Sequence, residues 1–161
     1  MTIHLIATGG TIDKYYSPTQ GKLTFEGSHL PEMLAQGSCT AELSLEVLMQ
    51  RDSLDLTDED RDLILTSCTK SSHKQIVITH GTDRMVATAQ ALQALKLPKT
   101  IVLTGAMIPY TIRNSDALFN LGCALGVVQS LPIGVYVAMN GRIFTADNVT
   151  KNTVLGRFET L

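Results

Sequence analysis

Ile3-His4-Leu5-Ile6-Ala7-Thr8-Gly9-Gly10-Thr11 is the stretch that decides the fold. Ile3 to Ile6 is an apolar, β-branched run carrying no formal charge, the pattern of a strand buried on both faces. Gly9 and Gly10 then let the backbone turn sharply and leave its N–H groups uncovered. Thr11 falls just past the strand's carboxyl end, where open α/β sheets place their ligands. A hydroxyl beside bare N–H groups is what acyl transfer needs, a nucleophile next to an oxyanion site. A plain strand-to-loop turn that contains threonine accounts for the same five residues equally well.

Outward from that stretch, strands and helices alternate. Asp13 to Lys22, with Tyr15-Tyr16, Pro18 and Gly21, reads as a loop or loose hairpin placed to act as a lid. Ser28 to Gln36 reads as a short helix, and Leu43, Leu45, Val47 and Met49 alternate as a half-exposed strand at the side of the sheet. Thr57 caps a helix running to about Thr69, with Asp58, Glu59 and Asp60 in its first turn. Gln75–Thr79 and Thr100–Thr104 are further buried strands, separated by an Ala- and Leu-rich helix over 84–95. Asn114 or Ser115 caps a helix to about Gln129, whose Gly122 and Gly126 are expected to allow close packing on the sheet. Ile133–Met139 is the last strong strand, Gly141–Ala146 a short extension, and 148–151 a loop. The alternation predicts one α/β domain of three layers, a mostly parallel sheet with helices on both faces.

Composition sets the outer limits. The chain has 161 residues, 44% of them hydrophobic and 17% charged, enough for one domain with a proper core. A net charge of −2 leaves no basic footprint, so nucleic acid is not an expected partner. No apolar run approaches transmembrane length, and membrane is not expected either. The start of the chain carries no basic region before its first strand. Cys39, Cys68 and Cys123 are odd in number and widely spaced, which argues against a disulfide framework or zinc site and suits the cytoplasm.

Four loops at strand carboxyl ends hold the candidate chemistry: Gly9-Gly10-Thr11, Asp52-Ser53, Gly81-Thr82-Asp83 and Gly105-Ala106. Right-handed crossovers gather several of them around one crevice. No G-x-G-x-x-G occurs, and Gly21-Lys22 lacks the rest of a P-loop, so phosphate binding is disfavoured. A threonine nucleophile needs a base. His4 lies within a strand, His29 and His73 lie in short polar stretches, and His80 serves equally well as a backbone partner. A lysine oriented by a carboxylate is the other solution, and Lys151, just after the last strand, is the natural candidate.

Ala7-Thr8-Gly9-Gly10-Thr11-Ile12, Thr79-His80-Gly81-Thr82-Asp83, Gly105-Ala106-Met107 and Val149-Thr150-Lys151 resemble, in order, the four motifs of the bacterial-type L-asparaginases. Asp116 and Asn120 also fit that pattern. The resemblance implies a flavodoxin- or Rossmann-like N-terminal asparaginase domain over 1–161, without the usual smaller C-terminal domain. It implies hydrolysis of L-asparagine to L-aspartate and ammonia without cofactor or metal. Thr11 is then the nucleophile, and Thr82, Asp83 and Lys151 form a second triad in which Lys151 takes a proton through Thr82. The N–H groups of Thr11 and Thr82 hold the oxyanion. Asp83 binds the substrate's α-amino group, Ser53 its α-carboxylate and the Ala106 carbonyl its amide nitrogen, with Gly10 and Thr82 completing the substrate-binding set. Tyr15 or Tyr16 is the lid tyrosine that hydrogen-bonds the nucleophile. Leu54 stands where the family usually has a polar residue, and Arg84 where a smaller one is common. A crevice open on one side points to a homo-oligomer, at least a dimer, whose neighbour partly covers it. Two other readings stay open: an amidase for another amide such as glutamine or a D-isomer, and a non-catalytic domain that binds an amino acid.

Overall fold

The computed structural model describes all residues, 1–161. Its elements in chain order are β1 (Ile3–Gly9), a 3₁₀ turn at Thr11–Asp13, β2 (Lys14–Ser17), β3 (Lys22–Phe25), α1 (Leu30–Gln36), β4 (Leu43–Arg51), a 3₁₀ turn at Ser53–Asp55, α2 (Asp58–Lys70), β5 (Gln75–Thr79) and α3 (Met85–Ala94). They continue with β6 (Thr100–Thr104), α4 (Ala117–Val128), β7 (Gly134–Met139), β8 (Arg142–Thr145), β9 (Thr150–Asn152) and β10 (Arg157–Glu159).

The six-stranded sheet has the order β4-β1-β5-β6-β7-β8. All neighbours in it are parallel except β8, which returns antiparallel to β7. That return uses Asn140 and Gly141, both at positive φ (50° and 81°), the conformation a two-residue primed hairpin turn requires. The five parallel strands follow the flavodoxin-like order, with its topological switch point between β1 and β5. Strand residues divide by parity between two cores. Ile6, Ile76, Ile78, Ile101 and Leu103 pack under α2 and α3, while Leu5, Ala7, Val77 and Val102 pack under α1 and α4. Thr57 caps α2 in a reciprocal box with Asp60, as the sequence anticipates.

Four details depart from expectation. The segment after Thr11 is an ordered antiparallel hairpin, β2 with β3. Residues 150–152 are not loop but one strand of a second hairpin, paired with β10 through Lys151↔Phe158. The buried Phe158 ring anchors that hairpin to the core. One crossover also breaks the right-handed rule. From β5 to β6 and from β6 to β7 the chain moves in the same direction along the sheet, yet α3 and α4 lie on opposite faces, so the α4 crossover has the opposite hand. The chain reaches that face through residues 105–116, which cross the carboxyl end of the sheet and are tied to the first loop by Tyr110 N–H on the Ile12 carbonyl at 3.3 Å and Thr111 Oγ1 on the Lys14 carbonyl at 3.1 Å.

The fourth departure concerns α4 itself. Asn114 sits at positive φ (65°) and does not cap it, whereas Ser115 Oγ accepts from Ala117 N–H at 3.0 Å. Gly122 and Gly126 are exposed and face open space rather than the sheet, which α4 meets through Ala117, Leu121, Ala124 and Val128. Both glycines therefore cost helix stability without a packing return. Gly122→Ala and Gly126→Ala should each stabilise the fold by about 0.5–1 kcal/mol in urea denaturation; a loss instead would mean that the outer face of α4 is covered.

Candidate active site

The four loops meet because glycines remove the atoms that would hold them apart. Gly9 (φ 95°) and Gly10 (φ 77°) turn the chain out of β1, and Gly10 N–H donates to the Arg51 carbonyl at 2.7 Å. A Cβ on Gly10 would stand 2.4 Å from the Gly81 nitrogen, and one on Gly81 would stand 2.3 Å from the Ser53 Cβ. The ends of β1, β5 and β4 are thus in backbone contact. Thr11, Thr82 and Ser53 follow or form those contacts, at the switch point of the sheet.

Lys151 joins them from β9. Its side chain is 15% exposed, and its Nζ donates to Thr82 Oγ1 at 2.7 Å and to Asp83 Oδ1 at 2.6 Å. Thr82 is buried, while the Asp83 carboxylate remains open at 38%. Asp83 N–H donates to the buried Ser53 Oγ at 3.2 Å, linking this group to the loop after β4. Half-buried Thr11 lies across the Gly10–Gly81 contact. No loop or cap hydrogen bond consumes the N–H of Thr11 or of Thr82. A hydroxyl, two available N–H donors, a lysine on a second hydroxyl and an open carboxylate are a set suited to acyl transfer.

His80 is not a base for this site. It is fully buried, with Nδ1 on the Gly81 carbonyl at 2.7 Å and Nε2 accepting from Thr88 Oγ1 at 3.0 Å. Burial pushes its pKa down to about 4, so it is a neutral brace for the loop that carries Thr82. Asp116 and Asn120 brace the fourth loop. Asp116 accepts the N–H groups of Met107 and Ile108, and Asn120 Nδ2 donates to the Gly105 carbonyl at 2.9 Å and to Asp116 at 2.9 Å. Ala106 is buried between these supports.

The tyrosines depart from expectation. Neither hydroxyl bonds to Thr11. In the hairpin they point to opposite sides, Tyr16 exposed across from Leu23 and Tyr15 half-buried near Glu26 and Ser17. Partial desolvation and Glu26 together hold the Tyr15 hydroxyl above its ordinary range. Three functional neighbours escape the sequence reading. Lys14 pairs with Asp52, tying the hairpin to the Ser53 turn. Burial would raise the Asp52 carboxyl, but Lys14 and the Leu54 N–H outweigh it and hold it below the usual range. Asn140 completes the Asp116–Asn120 network, donating Nδ2 to Asp116 at 3.0 Å and its N–H to Asn120 at 2.9 Å. The Asn-Gly turn signal at 140–141 was its only trace in the sequence. Asp13, fully buried, receives His29 N–H at 2.9 Å and the Ser28 hydroxyl, and burial raises its pKa. No group of three or more His, Cys, Asp or Glu side chains is arranged to hold a metal ion.

Comparison with known proteins places this geometry. The family model described as asparaginase, N-terminal, matches residues 2–157. The glutaminase-asparaginase of Acinetobacter glutaminasificans is 32% identical, over 91% of this chain and 48% of its own length. The L-asparaginase of Thermococcus kodakarensis is 30% identical over 97% of this chain and 49% of its own length. The solved structure of the thermostable L-asparaginase from that organism superposes with a TM-score of 0.87, covering 100% of this chain and 51% of that one. The probable cytoplasmic L-asparaginase of Campylobacter jejuni gives a TM-score of 0.84 at 32% identity, over 98% of this chain and 52% of that one. The chain spans about half the length of the curated relatives it matches.

The His80 brace has a measurable consequence. A histidine whose folded pKa lies below its unfolded value contributes stability that is complete above about pH 6.5 and is lost as pH falls toward about 4. At pH 5 the loss should be about 2 kcal/mol. His80→Gln should be less stable than the parent at pH 7, with that gap narrowing by about this amount at pH 5 in urea denaturation; a gap independent of pH would refute a neutral buried His80.

Proposed function

This chain belongs to the asparaginase family, and on that footing we propose that it hydrolyses the side-chain amide of L-asparagine to L-aspartate and ammonia through a threonine nucleophile. The observation that carries the proposal is the contact of Lys151 Nζ with both Thr82 and Asp83 beside the Thr11 loop. A site built only to hold an amino acid has no need of a lysine on a buried hydroxyl.

Thr11 Oγ attacks the amide carbon, and its proton leaves through the Thr82 hydroxyl to Lys151 Nζ in the neutral form. The carbonyl oxygen gains the electron pair and is held by the N–H groups of Thr11 and Thr82. Collapse of this adduct expels ammonia, which takes up the proton, and leaves an ester on Thr11. Water then cleaves that ester, releasing aspartate and restoring the hydroxyl. Asp83, the open carboxylate, receives the α-ammonium group; Ser53 and the Gly10 turn receive the α-carboxylate; and the Ala106 carbonyl accepts from the departing nitrogen. Tyr15 and Tyr16, on a hairpin latched by Lys14 to Asp52, stand as the lid over this crevice.

Glutamine is the second substrate we consider. One relative is named glutaminase-asparaginase, and Leu54, at the turn that carries Ser53, points into solvent and leaves that side of the site open for a longer side chain. We assign the protein to the cytoplasm on its three unpaired cysteines. No helix is long and apolar enough to cross a membrane.

Ammonia release from L-asparagine, L-glutamine and D-asparagine tests the proposal directly, and no release from any of them would leave only a binding role. Thr11→Ala should lower kcat on the order of a thousandfold or more with the fold intact by circular dichroism; substantial residual turnover would move the nucleophile elsewhere. Lys151→Met, which keeps the aliphatic stem, should collapse kcat with little change in KM. Survival of activity would reduce Lys151 to a structural lysine.

A further inference from the structure

The two edges of the sheet are unlike. β8 is four residues long and carries Arg142 stacked on Phe144 at 4.8 Å, the short charged edge that proteins use against association. β4 is nine residues long and holds no proline or lysine. Its ladder to β1 begins with Ile3 N–H on the Glu42 carbonyl, so the even-numbered residues of β4 spend their backbone groups inward. The N–H and C=O groups of Leu43, Leu45 and Val47 therefore point away from the sheet, and no turn or side-chain hydrogen bond reaches them. The same three residues carry apolar side chains on one face, with Leu45 38% and Val47 51% exposed. Beyond Val47 the strand bulges, its register with β1 slipping from Ala7↔Val47 to Gly9↔Arg51.

We propose that this edge pairs with the same edge of a second copy of the chain, antiparallel about a two-fold axis at Leu45. One register uses every outward group: Leu45 opposite Leu45, and Leu43 opposite Val47 twice, with two hydrogen bonds exchanged in each pair. It lays six apolar side chains against one another on one face. On the other face it sets Ser44 opposite Glu46. The Glu46 carboxylate is already oriented, its Oε2 taken by Ser67 at 2.7 Å and His4 at 2.9 Å, so the Ser44 hydroxyl of the second copy meets the free Oε1. Slipping by one residue on each strand would oppose residues with no outward groups or put Glu46 against Glu46. The half-exposed Leu63, one turn before Ser67 on α2, adds apolar surface beside the axis.

The result is a continuous twelve-stranded sheet whose two halves run in opposite directions. The two catalytic edges then face opposite ways, and neither copy covers the other's crevice, contrary to what the open site by itself suggested. The proposal is independent of the reaction, because its readout is mass.

In sedimentation equilibrium the protein should run at twice its 17.4 kDa chain mass, and Leu45→Lys, which sets two ammonium groups across the axis, should run at the single mass. In a Cys39→Ser/Cys123→Ser background, Leu45→Cys should form a disulfide dimer under mild oxidation, since opposed Cα atoms in such a pair lie about 5.5 Å apart. Val47→Cys should not, because its own copy lies four residues away, about 13 Å. The buried Cys68 thiol, pushed up to about 12, stays unreactive. A protein of single-chain mass at tens of micromolar overturns the proposal. So does cross-linking through Val47→Cys in place of Leu45→Cys, or a dimer that survives Leu45→Lys.

Discussion

Everything at the catalytic edge depends on a place where side chains have no room. Gly10 rests on Gly81, and Gly81 rests on Ser53, at separations no Cβ could occupy. This contact gathers the ends of three strands, and it converts two glycine turns remote in sequence into one rigid floor. Thr11 and Thr82 inherit their positions from it. An alanine at either glycine would have to push backbone against backbone, and the reacting groups would move with it.

That floor is held from beneath and from the side by polar groups that react with nothing. Neutral His80 bonds both Gly81 and Thr88 and keeps the Thr82 loop from sinking or tilting. Asp116, Asn120 and Asn140 do the same for the loop carrying Ala106. The loop 105–116 exists because α4 lies on the face opposite to its right-handed place, so the chain must cross the top of the sheet. The reversed crossover and the wall of the crevice are therefore one feature. Lys14, paired with Asp52, closes the opposite side by anchoring the hairpin to the Ser53 turn. Within these supports the charges left for a substrate are few, chiefly the open carboxylate of Asp83 and the ammonium that faces it.

The same sheet presents its far edge to a different use. Parallel ladders spend alternate backbone groups on each side, so an outermost parallel strand always holds half of its donors and acceptors in reserve. In β4 those groups coincide with the apolar parity, and the reserve is therefore sticky as well as polar. Its distance from the Thr11 crevice separates association from chemistry: one edge of the molecule can join a neighbour without altering the other.

Sequence alone determined the local elements and the chemical cast. Period-2 apolar runs fixed β1, β5 and β6 almost to the residue, because strands buried on both faces tolerate nothing else, and Thr57 with Asp60 marked the start of α2 by reciprocal capping. Thr11, Thr82, Asp83, Ser53 and Lys151 were legible as candidates from their motifs. Tertiary structure decided what those candidates meet. That Lys151 reaches Thr82, 69 residues away, depends on Phe158 anchoring a small hairpin, and no spacing along the chain encodes it. The side chosen by α4, the outward glycines on it and the standing-off of Tyr15 and Tyr16 were likewise invisible, because each turns on which face of an element finds a partner. Periodicity tells a chain which faces it has; only packing tells it which of them are covered.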